Sequence, residues 1–259
     1  MHNSLEHTYN QRYRDGYREH LLGFEIARWS ALKHFIKKVL KLTSPPKVLD
    51  YGAGSGLYLR LWEKLFPHSE LYFCDISSGA REKFNAKYQN SSSKYFFVKE
   101  NKAQLRNDTF DVVVSVEVME HVSNLQEYLL DIHRLLKHRG VFIWTTPCSN
   151  PLSIEHIYGK ATNGIEQTIE GYERWKWEDP THLRRLRSRE IKKALQENGF
   201  LDVRFRFRAH FFSFLCTSLP FSSMIPFRDR IMKLDYNLLR LLPNAASMIG
   251  AASCEKRNP

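Results

Sequence analysis

The chain has 259 residues, enough for one large α/β domain or for one domain with a cap. Lysine and arginine outnumber the acids by 39 to 28, and the net charge of +11 favours acidic partners such as phosphates, nucleic acid or an anionic membrane surface. The four cysteines are isolated, which argues against a zinc site or a disulfide framework and predicts a reducing, cytoplasmic compartment.

Residues 1–46 are predicted to form an N-terminal helical segment. Tyr9, Tyr13 and Tyr17 recur at every fourth residue, and the apolar stripe that follows also has helical spacing. This amphipathic pattern predicts helices that pack against a sheet. The start of the segment is polar, without the apolar run that is typical of a signal peptide.

A glycine-rich turn follows the first predicted strand. The sequence reads Asp50-x-Gly52-x-Gly54-x-Gly56, and residues 57–66 then have helical spacing. A strand, a glycine turn and a helix form the first βα unit of an open α/β sheet, in which ligands bind beyond the carboxyl ends of the strands. A dinucleotide fingerprint would need glycine at position 57, and a P-loop would need Gly-Lys-Ser/Thr. The sequence matches neither.

Four more strands are predicted up to residue 147. They are 70–74, 95–98, 111–116 and 141–145. Asp75 at the tip of the first of these is placed to accept hydrogen bonds from a ribose diol, or else to cap the next helix. The valine-rich strand 111–116 suits a position buried on both faces, and the helix after it is predicted to end at Gly140.

The chain beyond residue 147 is interpreted as the rim of the same domain. The aromatic connection 148–187 has no clear periodicity and is predicted to be a substrate-side loop. Segment 209–245 is an apolar and basic insertion, and its residues 210–227 contain no acid, lysine or arginine. A cap over the substrate, a membrane-interface contact beside Arg228 and Arg230, and ordinary core packing all remain open for it.

Four features occur in one order along residues 47–147. They are the glycine turn, Asp75, the pair Val116-Glu117, and Thr145-Thr146-Pro147. Together they resemble the class I S-adenosylmethionine (SAM)-dependent methyltransferases, most closely the ubiquinone-biosynthesis O-methyltransferase or methyltransferase type 11 group. The resemblance implies one α/β, Rossmann-like domain over residues 1–259. Its seven-stranded sheet would be mostly parallel, with the last strand antiparallel and helices on both faces.

The resemblance also implies SAM as the cofactor and a set of residues around it. Those expected at its methionine part are Asp50, Gly52, Ala53, Gly54 and Gly56. Those expected elsewhere along it are Asp75 and Ile76 at the ribose, Asn101 at the adenine amino group, and Val116 and Glu117 on the side of strand 111–116. Asn101 departs from the family pattern, which usually has an acid at that position.

The sequence Glu117-x-x-Glu120-His121 places three possible ligands within five residues. With His182 further along the chain, it resembles a metal-dependent subset of the family. The resemblance implies a divalent metal, such as Mg, bound by Glu117, Glu120, His121 and His182. Without a metal, His121, His156 and His182 are candidate general bases, because imidazole titrates near neutral pH.

These features leave three functions open. The leading hypothesis is O-methylation of a small or lipid-linked acceptor, with peripheral membrane contact as an accompanying expectation. The second is metal-dependent RNA 2′-O-methylation, in which Arg184, Arg185, Arg187 and the arginines of strand 203–208 would contact phosphate. Nucleic acid is the less favoured partner, since no appended RNA-binding module is visible. The third is a non-catalytic protein that keeps the SAM-binding fold, and the oligomeric state stays open.

Overall fold

The computed structural model describes residues 2–17, 19–168, 170–217 and 225–256 of the chain. The helices of this part are α1 (His2–Arg14), α2 (Gly23–Val39), α3 (Leu59–Leu65), α4 (Ser78–Lys87), α5 (Leu125–Leu135), α6 (Ile154–Ala161), α7 (Ser188–Glu197), α8 (Phe211–Thr217) and α9 (Arg228–Leu239). The strands are β1 (Lys47–Tyr51), β2 (Glu70–Asp75), β3 (Lys94–Lys99), β4 (Lys102–Ala103), β5 (Phe110–Val116), β6 (Leu136–Pro147), β7 (Ile165–Gln167), β8 (Glu173–Trp175), β9 (Phe200–Arg208) and β10 (Ser247–Cys254).

The main sheet has the strand order β4-β3-β2-β1-β5-β6-β10-β9. Neighbours from β3 to β6 pair in parallel, whereas β10 runs antiparallel to both β6 and β9. This confirms the predicted Rossmann-like sheet with an antiparallel last strand. The predicted count of seven strands is one short, because Lys102 and Ala103 form a two-residue edge strand, β4, antiparallel to β3. The strand order reverses between β1 and β5, and such a point opens a crevice at the carboxyl ends of the strands.

Helices cover both faces of the sheet. Val112, Val113 and Val114 of β5 are fully buried, as predicted for a strand that is covered on both sides. One face packs against α5 and α7, and the other packs against α2, α3, α4 and α9. The core thus fixes the strand ends that border the crevice.

The prediction that the helix after β5 ends at Gly140 is wrong. The helix ends at Leu135, and the chain passes directly into β6, where Leu136 pairs with Phe110. Gly140 lies inside the strand, and a Cβ there would sit 2.9 Å from the carbonyl oxygen of Lys137 and 3.0 Å from that of Phe110. Glycine is needed for this close backbone approach, next to an irregularity in the β5–β6 pairing, and not for a helix stop.

Two arginines of the substrate-side loop, Arg184 and Arg185, which would contact phosphate in the RNA alternative, are buried. Arg184 pairs with Glu170 at 2.8 Å, and Arg185 pairs with Glu155 at 2.7 Å and Glu178 at 2.6 Å. Arg184 is 1% exposed and Arg185 is 6% exposed. These pairs within the rim, which includes α6 and the β7–β8 hairpin, satisfy guanidinium groups that could not be buried alone.

Segment 209–245 contains α8 and α9, and residues 218–224 lie outside the described part. Helix α9 packs beside α2, and its Met232 joins Ala27 and Cys216 in a small apolar cluster. Part of the segment therefore provides core packing. Within the part of the chain that the structure describes, no helix is both long enough and apolar enough to cross a membrane.

Candidate active site

The turn after β1 is built on three glycines with a left-handed backbone. Gly52, Gly54 and Gly56 have φ angles of +78°, +54° and +76°, which side chains other than glycine rarely adopt. A Cβ at Gly52 would collide with the Val118 methyl groups, and one at Gly54 would collide with the Tyr13 hydroxyl. The turn needs glycine for its conformation and for the closeness of these neighbours.

A crevice with two cavities opens beyond the carboxyl ends of β1, β2 and β5, and Tyr13 lines both cavities. The larger cavity has a volume of about 110 Å³ and the smaller about 30 Å³. The predicted site residues that line the larger one are Gly52, Asp75, Ile76, Asn101, Val116, Glu117 and His121. Those that line the smaller one are Asp50, Gly52, Ala53, Gly54 and Val116. The fold thus brings most of the predicted cofactor residues to one crevice.

Asp50 and Gly56, both predicted near the methionine part of SAM, contribute contacts that hold the turn in place. The Asp50 carboxylate accepts a hydrogen bond from the Trp62 indole at 2.7 Å, and burial raises the pKa of Asp50 to about 7. The Gly56 carbonyl accepts a hydrogen bond from the Tyr88 hydroxyl at 3.0 Å. Asp50 fastens the turn to α3, and Gly56 fastens it to α4.

Asp75 lies in the wall of the larger cavity and joins two turns. Its carboxylate accepts the N–H of Gly54 at 2.8 Å and the N–H of Ser77 at 2.9 Å. The cap of α4 is Ser77, whose hydroxyl accepts the N–H of Ala80, so Asp75 does not cap that helix itself. Burial is the largest influence on its carboxyl and raises its pKa, even though the backbone donors act in the opposite direction.

Asn101 lies in the loop between β3 and β4. Asn101 and its neighbour Glu100 both have positive φ angles, of +59° and +49°, in a tight turn at the cavity wall. The Asn101 amide donates a hydrogen bond to Glu127 of α5. Asn101 therefore reaches the cavity while its side chain is held from the α5 side.

Three of the four predicted metal ligands converge beyond β5. Atoms of Glu120, His121 and His182 lie within 4.8 Å of one another. One oxygen of the Glu120 carboxylate, Oε2, accepts the Thr146 hydroxyl at 3.1 Å, while Oε1 has no hydrogen-bond partner among the described residues. Burial raises the pKa of Glu120. Burial lowers the pKa of His182. The Glu178 carboxylate, 3.0 Å from Nδ1 of His182, and the nearby Glu120 outweigh this effect, so the pKa of His182 is raised overall.

Glu117 points to a different set of partners. Its carboxylate lies 3.1 Å from Arg28 of α2 and 3.8 Å from Arg208 of β9, and it accepts the Thr145 hydroxyl at 2.8 Å. Burial, and then the neighbouring Arg28, lower the pKa of Arg208 to about 10. The structure thus separates Glu117, which is neutralised by arginines, from Glu120, which lies beside the two histidines.

His156, the third candidate base, lies in α6 and away from the crevice. Its Nε2 atom is 3.6 Å from a Glu173 carboxylate oxygen, and its ring lies 5.9 Å from the Trp175 ring. His121, in contrast, lines the larger cavity, and its ring centre is 4.6 Å from that of His182. The structure brings together two of the three candidate histidines.

A family model described as a methyltransferase domain matches residues 21–204, which include the crevice and most of the residues around it. The chain belongs to the methyltransferase family. A ubiquinone biosynthesis O-methyltransferase of Rickettsia bellii is 39% identical over 102 residues, which are 39% of this chain and 41% of that protein. The match therefore spans less than half the length of this curated relative.

Solved methyltransferases share the fold. The methyltransferase solved with the Trm112 activator of Haloferax volcanii superposes with a TM-score of 0.61 at 16% identity, over 96% of this chain and 98% of that one. An S-adenosylmethionine dependent methyltransferase of Mesorhizobium loti gives a TM-score of 0.56 at 17% identity, over 88% of this chain and 97% of that one. With the family match, these similarities support SAM as the cofactor of this methyltransferase.

The tyrosines of the N-terminal segment form one wall of the methyltransferase crevice, which the sequence does not predict. Tyr9, Tyr13 and Tyr17 all line the larger cavity. The Tyr9 hydroxyl lies 3.1 Å from Nδ1 of His121 and 3.2 Å from the Thr181 hydroxyl. Their spacing of four residues indicates a helix, but it does not show that the helix lies across the crevice.

Helix α1 is fastened over the crevice at two points. Arg12 pairs with Asp179 through two hydrogen bonds of 2.8 Å each. Asn10 accepts the hydroxyl of Ser77 at 2.8 Å and the N–H of Gly79 at 3.2 Å, and so binds the first turn of α4. These contacts hold the Tyr13 hydroxyl beside Gly54, where the methionine part of SAM is expected.

We expect Asp75→Ala to weaken SAM binding by about tenfold to a hundredfold. Hydrogen bonds to a charged group contribute about 1.5–3 kcal/mol, and the substitution removes the carboxylate that faces the ribose position. Isothermal titration calorimetry measures the affinity, and Glu70→Ala, at the exposed opposite end of the same strand, is the matched control. Equal SAM affinity for Asp75→Ala and the wild type would contradict the ribose assignment.

We expect Arg12→Ala to loosen α1 and to speed the entry of SAM. Loss of a partly exposed, two-bond ion pair corresponds to about 1 kcal/mol, or about fivefold faster amide exchange in α1. Hydrogen exchange by mass spectrometry and stopped-flow SAM binding measure the two effects. Gln11→Ala removes only an exposed contact to Asp15 on the same helix and should change neither. Unchanged exchange in Arg12→Ala would show that this pair does not hold α1.

Proposed function

We propose that the chain transfers the methyl group of SAM to an oxygen atom of a small or lipid-linked acceptor. The observation that carries this proposal is the position of His121, which lines the same cavity as Asp75 and Gly52. An acceptor hydroxyl must lose a proton as its oxygen is methylated, and an imidazole beside the cofactor position suits that task. The likeness to proteins named ubiquinone biosynthesis O-methyltransferase supports oxygen as the acceptor atom.

In this proposal, residues of the two cavities hold SAM. Asp75 accepts the ribose hydroxyls, Asn101 lies toward the adenine, and the turn at Gly52 and Gly54 surrounds the methionine part. The sulfonium of SAM already activates its methyl group, so the protein contributes mainly position and proton removal. Because its hydroxyl lies beside Gly54, Tyr13 has to move when the methionine part enters.

His121 is the proposed general base, and His182, whose ring lies beside that of His121, is a positioning residue for it. Nδ1 of His121 lies 3.1 Å from both the Tyr9 hydroxyl and the Thr181 carbonyl oxygen. Nε2 of His121 is 4.0 Å from Glu120. A proton taken up by His121 would be stabilised by the Glu120 carboxylate, whose position is fixed by Thr146.

A divalent metal held by Glu120, His121 and His182 is an alternative means of removing the proton from the acceptor hydroxyl. Glu120 Oε1 is buried without a hydrogen-bond partner in the described part of the chain, and a cation would satisfy it. A bound metal would supply a lowered pKa at a coordinated hydroxyl. Two imidazoles with one carboxylate suit Mn, Fe or Zn better than Mg. Glu117, with its two arginines, is not needed for this site.

The surroundings of the crevice favour a small acceptor over RNA. Val118 and Val122 line the larger cavity with the tyrosines, which suits an apolar or aromatic molecule. Arg184 and Arg185, expected to contact phosphate in the RNA alternative, are buried in internal ion pairs. The four free, buried cysteines are in keeping with the reducing, cytoplasmic location that we propose for the protein.

We expect methyl transfer from radiolabelled SAM to phenols and catechols, with and without an attached isoprenoid chain, and no transfer to short RNA. Product mass spectrometry identifies the methylated atom. His121→Ala should lower the turnover number by about a hundredfold or more while SAM affinity stays within about twofold. The exposed His138→Ala is the matched control. Transfer to RNA alone, or full turnover in His121→Ala, would contradict the proposal.

In the metal alternative, we expect the enzyme to lose its methyl-transfer activity in the presence of a chelator and to regain it when Mn²⁺ is added. Glu120→Gln should then weaken Mn²⁺ binding, measured by electron paramagnetic resonance, by about tenfold or more. His138→Ala again serves as the control, because it removes an imidazole that lies outside the cluster. Activity that is indifferent to chelator, with no Mn²⁺ bound by the wild type, would remove the metal and leave His121 as the base.

A further inference from the structure

Large apolar side chains lie on the outward face of α9, at the residue before it and in the turn after it. We call this surface the leucine face. Its members and their exposed fractions are Phe227 (66%), Leu234 (52%), Leu238 (65%), Leu241 (68%) and Leu242 (47%). Single exposed leucines are common, but a row of them along one helix marks an interaction surface.

The opposite face of α9 already meets the needs of the fold. Met232, Asp235 and Tyr236 are buried there, and the Asp235 carboxylate accepts the N–H groups of His210 and Phe212. A surface helix normally places polar residues opposite its buried stripe. Here Leu234 and Leu238, one turn apart, take that place, so their exposure has no explanation in the packing of the helix.

Cations outnumber acids around the leucine face. Arg228, Arg230, Lys233 and Arg240 lie in the same stretch, and its surface acid, Asp229, is engaged by Lys233 at 3.2 Å.

We propose that the leucine face docks in the interfacial region of a membrane that contains anionic lipids. Apolar side chains in a row, flanked by cations, are the composition of interfacial helices: the leucines enter the acyl boundary and the cations meet the headgroups. This surface goes beyond the proposed function, and it does not depend on which acceptor is methylated.

The positive charge around the leucine face favours an anionic membrane over a second copy of the chain as the occupant of this surface. In a two-fold symmetric contact through the leucine face, the same patch occurs on both subunits. The arginines around the patch on one copy would then approach those on the other copy, and Asp229 is already paired with Lys233. Anionic headgroups provide the opposite charge that such a contact lacks.

The position of α9 relates this surface to the crevice. Arg228 at the start of α9 lies against Gly23 at the start of α2, where a Cβ would be 3.0 Å from its guanidinium. One turn further along α2, Arg28 reaches Glu117 in the crevice wall. The Phe227 end of the leucine face therefore lies near the end of α2 that borders the crevice. An acceptor held in a membrane at this face would have a short path to the crevice.

Co-sedimentation with vesicles tests the proposal. One set contains phosphatidylcholine alone, and the other contains phosphatidylcholine with about one third phosphatidylserine. We expect the wild type to bind the phosphatidylserine vesicles preferentially and less strongly at high salt. The triple variant Leu234→Ser, Leu238→Ser and Leu241→Ser should lose about tenfold or more in partition coefficient. Arg230→Gln with Lys233→Gln should lose the preference for phosphatidylserine.

A second triple variant is the matched control. Leu42→Ser, Leu130→Ser and Leu201→Ser change leucines that are 44–48% exposed on other parts of the surface, and should bind vesicles as the wild type does. Circular dichroism and SAM titration confirm that each variant folds. Three results would overturn the proposal: no vesicle binding by the wild type, equal binding by the leucine-face variant, or a wild-type dimer that this variant dissociates. Activity on a water-soluble acceptor should be the same in all variants, which separates this test from that of the proposed function.

Discussion

The buried carboxylate of Asp75 is the contact on which the cofactor crevice depends. It joins the turns after β1 and β2 through the N–H groups of Gly54 and Ser77, and so sets the distance between the two strand tips. A carboxylate has about four acceptor sites, and burial makes its charged form costly when some of them lack donors. Burial raises the pKa of Asp75 even though the N–H groups of Gly54 and Ser77 donate to its carboxylate. Hydroxyl donors from a ligand in this crevice would lower the cost of burying that charge, which is the basis of the ribose role that we propose for Asp75.

Two acids only three residues apart have opposite environments. The Glu117 carboxylate lies between the guanidinium groups of Arg28 and Arg208, whereas Glu120 is buried beside His121 and its pKa is raised by burial. Pairs of titratable groups whose surroundings differ in this way divide their tasks: one supplies fixed charge and the other exchanges protons or binds a cation. The arginines come from α2 and β9, outside the central βα units. The chemistry of the acceptor side therefore depends on elements that the cofactor motif does not contain.

Local patterns in the sequence predict the sheet well. The glycine turn follows β1, Asp75 ends β2 and the valines of β5 are buried, and each of these features depends on neighbours in the chain. Long-range contacts decide what the sequence does not predict. Gly140 lies in a strand, where it approaches the backbone carbonyl of Phe110 too closely for a side chain. Arg184 and Arg185 are buried because acids elsewhere in the rim form ion pairs with them. The place of α1 depends on Asp179, far along the chain, and no periodicity in the tyrosines encodes it.

The position of Tyr13 makes cofactor binding and helix α1 interdependent. Its hydroxyl lies beside Gly54, where a ligand's methionine end would need room, and its ring centre is 5.6 Å from that of Tyr17. A ligand that occupies this place would displace the Tyr13 side chain, and Tyr13 belongs to the same helix as Tyr9, which contacts His121. Two sites that bias the same element are thermodynamically coupled, and the coupling acts equally in both directions. At the cofactor position that we propose, SAM binding would therefore alter the surroundings of His121, and an acceptor that contacts Tyr9 would alter the affinity for SAM in return.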